Sequence, residues 1–98
     1  MKLVALYKEP EDRDQFKKKY FEGHIPLIEK VPGLVGTEFT YIRAALQGET
    51  YYMMAVLTFT DKESFKKGLN SPEMAAAGEY LDSFAKDQYT LFFGSDSE

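Results

Sequence analysis

Cysteine and tryptophan are absent from the 98 residues, and histidine occurs once. Without cysteine there is no disulfide framework, no thiolate nucleophile and no thiolate metal site. A single histidine, with no second ligand at helix-face spacing, leaves no pattern for a metal centre. Long apolar runs are missing as well. Nothing approaches the roughly 20 residues of a spanning helix, and the opening Lys2-Leu3-Val4-Ala5-Leu6-Tyr7 meets Lys8 too early for a secretory leader. The expectation is a cytoplasmic chain with no metal, no cofactor and no membrane partner. Positive charge is in deficit, with 12 basic against 16 acidic side chains, a net charge of −4 and a pI near 5.0. That balance argues against nucleic-acid binding, which needs a basic face. Gly23, Gly33, Gly36 and Gly48 never gather into a phosphate-binding loop.

Aromatic surface, by contrast, is abundant: eight Phe and seven Tyr. A chain of 11.2 kDa makes one domain and hides about two-thirds of its unfolded surface. So many rings in so small a core imply a partner or a pocket. A single domain is expected over residues 1–94, with a disordered acidic tail over 95–98.

The chain parses into six short elements. Lys2 to Tyr7 reads as a strand ended by Lys8-Glu9-Pro10. Asp12 with Gln15 forms a capping-box variant, and Phe16, Tyr20, Phe21 and His24 follow at helical spacing, with Lys17, Lys18 and Lys19 on a solvated face. Gly23 and Pro26 are expected to interrupt this helix, with a further helical turn from Pro26 to Lys30 and a stop at Pro32-Gly33. Leu34 to Arg43 and Tyr51 to Thr60 read as strands joined around Gln47-Gly48-Glu49. Thr60 with Glu63 reads as the next capping box, and Ser71-Pro72-Glu73 restarts a helix with Pro at its first position. Met74, Ala77, Leu81 and Phe84 form its buried stripe. Gln88 to Phe93 is the last strand. The order strand, helix, strand, strand, helix, strand gives a ferredoxin-like α+β fold: a four-stranded antiparallel sheet with both helical segments on one face.

Such a sheet has one covered face and one wet face, so its strands should alternate apolar with polar. The third strand does not. Tyr52, Met54 and Val56 point one way, and Met53, Ala55, Leu57 and Phe59 the other. The first strand repeats this, with Leu3 and Ala5 against Val4 and Leu6. Two helices cover one face only, so the other requires a cover, and a second copy packed sheet against sheet is the economical one. A homodimer is expected.

The segment Tyr20-Phe21-Glu22-Gly23-His24-Ile25-Pro26-Leu27 resembles the aromatic-aromatic-x-x-His-x-Pro-Leu signature of the EthD family, named for ethyl tert-butyl ether degradation and part of the dimeric α+β barrel superfamily. The opening strand with Pro10-Glu11-Asp12, then Pro32-Gly33-Leu34, Ser71-Pro72-Glu73 and Leu91-Phe92-Phe93-Gly94, is similar to the same family over nearly the whole chain. The resemblance implies a small accessory protein of catabolism, oxidoreductase-related, acting on a small apolar or aromatic organic molecule without a cofactor. Superfamily relatives span monooxygenases, isomerases, cyclases, haem-degrading enzymes and stress-response dimers, so fold alone does not assign the chemistry. The aromatic placement also brings RNA-recognition motifs to mind, but the third strand lacks their basic-Gly-aromatic opening. The Trp and Asn of haem-degrading relatives have no counterpart here beyond Asn70 in a turn.

His24 is the only side chain whose ordinary pKa lies near neutrality, which makes it the candidate acid–base catalyst. The alternative is a structural histidine that bonds a free backbone carbonyl where the helix breaks. Tyr7, Tyr20, Tyr41 and Phe84 are the candidate ligand-lining residues, because buried Tyr keeps a polar handle suited to an amphipathic ring. For any one Tyr, strand propensity and dimer packing are the more economical account. Arg43 reads as a solvated or dimer-edge charge, with carboxylate binding as the alternative. Three functional classes follow: a cofactor-independent oxidoreductase, monooxygenase or isomerase-type enzyme with His24 as base; a carrier that binds the molecule without turnover; and a structural or stress-response dimer with no pocket.

Overall fold

A computed structural model describes all 98 residues. Strand β1 (Lys2–Tyr7) leads into helix α1 (Arg13–Lys19), a π-helical segment (Tyr20–His24) and α2 (Ile25–Ile28). Strands β2 (Leu34–Tyr41) and β3 (Met53–Phe59) follow, then α3 (Lys62–Leu69), α4 (Pro72–Ala85) and β4 (Tyr89–Gly94). The sheet order is β2-β3-β1-β4, with every neighbouring pair antiparallel. This is the ferredoxin-like arrangement. Its extents of 36 × 30 × 19 Å are those of one sheet carrying one layer of helices. No helix is long and apolar enough to cross a membrane.

Helix starts are set by side-chain caps. Asp12 accepts from the Gln15 backbone N–H at 3.0 Å, and Ser71 accepts from Met74 N–H at 3.1 Å with Pro72 at the first position. Each satisfies an amide that has no partner within its own helix. The cap of α3 is Asp61, which accepts from Ser64 N–H at 2.7 Å, and not Thr60. The two residues are adjacent and both are good caps, and the carboxylate one position on reaches the amide more strongly. Gly33 turns the chain into β2 at φ +84°, a conformation that glycine adopts without strain.

The expected break at Gly23 and Pro26 is replaced by continuous helix from Arg13 to Ile28. Pro26 has no N–H to return to the carbonyl four residues back. Ahead of it the ladder widens, and Ile25 N–H bonds Tyr20 C=O five residues back. Gly23 serves packing here, since a Cβ at this position would overlap the Tyr80 ring of α4.

Burial along β3 alternates without exception: Met53, Ala55, Leu57 and Phe59 are buried against the helices, and Met54, Val56 and Thr58 are half-buried on the other side. The helix side meets Phe16, Tyr20, Ile25, Ile28, Phe65 and Leu81 in a single core. On the opposite side, the pairings Val4↔Val56, Leu6↔Met54 and Val4↔Phe92 lay down a continuous apolar surface that no helix of the chain covers. Strand ends differ from expectation by one or two residues. β2 stops at Tyr41 and leaves Arg43 exposed outside it. Tyr52 lies just before β3, so the alternation that pairs it with Met54 and Val56 does not hold; its ring instead meets Phe16 of α1 at 5.9 Å.

Candidate functional site

Between the helical layer and the β1–β4 side of the sheet lies a cavity of about 70 Å³. Ala5 and Ala55 on the sheet and Gly78 on α4 make room for it by being small, and Leu3, Leu57 and Leu81 give it apolar walls. Tyr7, Tyr20, His24 and Tyr89 bring polar atoms to it. Tyr89 is spent elsewhere, since its hydroxyl donates to Asp82 Oδ1 at 2.6 Å. Burial, followed by that carboxylate, pushes its pKa up to about 12. Tyr7, Tyr20 and His24 remain.

The Tyr7 hydroxyl donates to the Tyr20 hydroxyl oxygen at 3.1 Å. Tyr7 is 2% exposed and Tyr20 1%, and the rings meet edge to face at 5.1 Å. Because Tyr20 accepts from Tyr7, its own proton is left to donate. Burial, the largest effect for both phenols, holds their pKa values well above the ordinary 10. Both stay protonated at neutral pH and serve as hydrogen-bond donors.

His24 ends the π-helical segment and is 5% exposed. Its Nδ1 lies 3.0 Å from the carbonyl oxygen of Ala77 on α4. A carbonyl only accepts, so Nδ1 carries the proton and donates, and the neutral ring holds its lone pair on Nε2. Nε2 has no partner in the protein. No fully enclosed side-chain nitrogen or oxygen is left unpaired, so Nε2 is not walled in and opens onto the cavity that His24 lines. Its ring lies 5.1 Å from that of Tyr20. Burial lowers the His24 pKa from the ordinary 6.5, and the Ala77 bond opposes this more weakly. The imidazole is therefore neutral at pH 7, with the Tyr20 ring beside it. A lone pair that removes a proton, next to an O–H that steadies the resulting oxyanion, is the equipment of general-base chemistry.

Of the five residues singled out from the sequence, the structure brings three together: His24, Tyr7 and Tyr20. Tyr41 lies apart on edge strand β2, 42% exposed and packed against Tyr52 at 5.7 Å. Phe84 faces a separate, mostly polar cleft of about 360 Å³ between α1 and the end of α4, beside Phe16 and Lys19. Both aromatics had the right chemistry, but the strand order puts β2 at the edge opposite β4, and the phase of α4 turns Phe84 elsewhere. Met74, Gly78 and Tyr89 also line the cavity. The spacing of Met74, Gly78 and Leu81 marks one helical stripe, and Tyr89 sits opposite Tyr7 in the strand register. No three metal-ligating side chains gather anywhere in the chain.

The fold and cavity together define an α+β protein of the ferredoxin-like type with one histidine and two tyrosines buried under its helices. The EthD domain model matches residues 8–88, and the chain belongs to the EthD family. A solved EthD family protein of Bacillus halodurans is 36% identical, with a TM-score of 0.88 over 98% of this chain and 97% of that one. The fold is shared more distantly with SnoaB of Streptomyces nogalater, a cofactor-independent oxygenase, at 16% identity and a TM-score of 0.63 over 98% and 93% of the two chains. It is also shared with a dimeric ferredoxin-like protein of unknown function from Thermobifida fusca, at 16% identity and a TM-score of 0.64 over 93% and 87%. No curated protein matches the chain.

Proposed function

We propose that this protein binds a small, largely apolar organic molecule in the cavity under its helices and moves a proton on it without a cofactor, as a homodimer. The observation that carries this reading is the state of His24: buried, with Nδ1–H held by Ala77 C=O and Nε2 without a protein partner, in the wall of a cavity that Tyr20 also lines. In the proposed step Nε2 takes a proton from an activated C–H or O–H. The electron pair of the broken bond moves onto the ligand oxygen, where the Tyr20 O–H stabilises it, and the imidazolium then returns a proton to carbon or to water. Membership of the EthD family and the fold shared with a cofactor-independent oxygenase support a small-molecule role. The uncovered apolar sheet face, and the dimeric state described for proteins of the same fold, support the homodimer.

The test uses enolisable aryl ketones in D₂O, with deuterium incorporation followed by NMR. Wild type is expected to exchange the α-proton faster than buffer, and His24→Gln at unchanged melting temperature is expected to abolish the excess. Binding without exchange would assign the site to carriage, and His24→Gln exchanging as fast as wild type would refute the base.

A further inference from the structure

Gly78 stands in the interior of the 14-residue helix α4, where glycine is among the poorest residues available. Nothing about its backbone requires glycine, because only Gly33 and Gly48 among the glycines adopt positive φ. Close packing does not require it either: a Cβ built there meets no atom within 4 Å. That contrasts with Gly23, where a Cβ would strike Tyr80. Gly78 lines the cavity and directly follows Ala77, whose carbonyl holds the His24 ring. The missing side chain therefore leaves open space in the wall of the cavity that His24 also lines.

Resting on the proton-transfer reading above, we infer that Gly78 is a specificity-determining position that keeps the cavity open to the ligand, and that the ligand is neutral and planar, a phenol or an enolisable ketone. Its oxygen-bearing edge faces His24 Nε2 and the Tyr20 hydroxyl, and its apolar body lies along Gly78. The lining contains no Lys, Arg, Asp or Glu, and His24 is neutral, so a carboxylate entering here is buried with no counter-charge and is rejected. The present volume, about 70 Å³, is smaller than the roughly 150 Å³ known to admit benzene in an engineered apolar cavity. Met74, an unbranched and readily rearranged side chain on the same wall, is the part that yields as a ring enters.

The experiment compares wild type with Gly78→Ala and Gly78→Leu, using toluene, phenol and benzoate as probes, with binding read by NMR titration and folding by thermal melting. Wild type is expected to bind toluene and phenol, phenol at least tenfold the tighter, and to leave benzoate unbound. Gly78→Ala is expected to melt about 4–8 °C higher, the shift that an interior Gly→Ala gain produces in a domain of this size, while binding both probes more weakly. Gly78→Leu is expected to lose both. Wild type that binds neither toluene nor phenol, benzoate that binds as well as phenol, or glycine variants that bind as tightly as wild type would each overturn the inference. The reading of His24 fails separately, if phenol binds no tighter than toluene while the glycine variants still lose toluene.

Discussion

The hydrogen bond between Tyr7 and Tyr20 has a direction, and that direction makes the two hydroxyls energetically unequal. Tyr7 donates and Tyr20 accepts, at 3.1 Å, with both side chains almost fully buried. Tyr20→Phe removes the acceptor and leaves the Tyr7 O–H without a partner. It loses a bond worth about 1 kcal/mol net and strands a buried donor, which costs a further 1–3 kcal/mol or so. Tyr7→Phe removes the donor and leaves Tyr20 with its own proton still turned toward the cavity, so it loses only the bond, about 1 kcal/mol. The double variant strands nothing. Its destabilisation is expected to match Tyr7→Phe and to fall short of the sum of the singles by about 2–4 kcal/mol. Each kcal/mol moves the melting temperature of a domain this size by about 4–8 °C. Urea unfolding followed by circular dichroism at one fixed protein concentration reads all four free energies, the fixed concentration being needed because a dimer's stability depends on it. Additivity within about 0.5 kcal/mol, or Tyr7→Phe proving the more damaging single, would refute the assigned direction and with it the free Tyr20 proton.

His24 makes stability depend on pH in a definite sense. Its folded pKa is lowered, so the unfolded state binds the proton more readily; the contribution is full above about 6.5 and is lost as pH falls toward the folded pKa, at up to about 1.4 kcal/mol per pH unit. Wild type should therefore lose stability relative to His24→Gln as pH drops from 7 to 5, and a relative stability independent of pH in urea titrations counts against a buried neutral imidazole. On the other side of the sheet, Val56→Asp sets an unpaired charge amid Val4, Met54 and Phe92 and is expected to convert the proposed dimer to a folded monomer by light scattering. A wild-type monomer at micromolar concentration refutes the sheet-face account outright.

The element order, the Asp12 and Ser71 caps and the two-sided apolar strands are all written in local pattern, which is why the ferredoxin-like topology was legible in the residues. Tyr20 and His24 were legible as neighbours because they lie four apart in one helical run. What local pattern does not carry is phase and register over distance. Gly23 and Pro26 read as breakers, and only the Tyr80 ring and the re-spaced ladder turn them into a continuous helix. The strand alternation misplaced Tyr52 because it stands one residue outside the strand to which the alternation applies. Tyr41 and Phe84 were reasonable on chemistry, but an aromatic ring does not announce which cavity it faces. Gly78 left no mark at all, since a missing side chain becomes informative only when the space around it is seen. That Nδ1 rather than Nε2 holds the proton depends on the Ala77 carbonyl, 53 residues away in the chain.

The widened turn from Tyr20 to His24 acts as a phase shifter. An α-helix advances about 100° per residue, so accommodating one additional residue in a single turn rotates everything downstream relative to everything upstream. Phe16 and Tyr20 on one side, and His24 and Ile28 on the other, can therefore all face the same flat sheet from a run that a regular helix would carry around its cylinder. A chain shortened by one residue here would form a more regular helix and would aim its only imidazole somewhere else. In this protein the irregular turn is the device that sets the bearing of the imidazole.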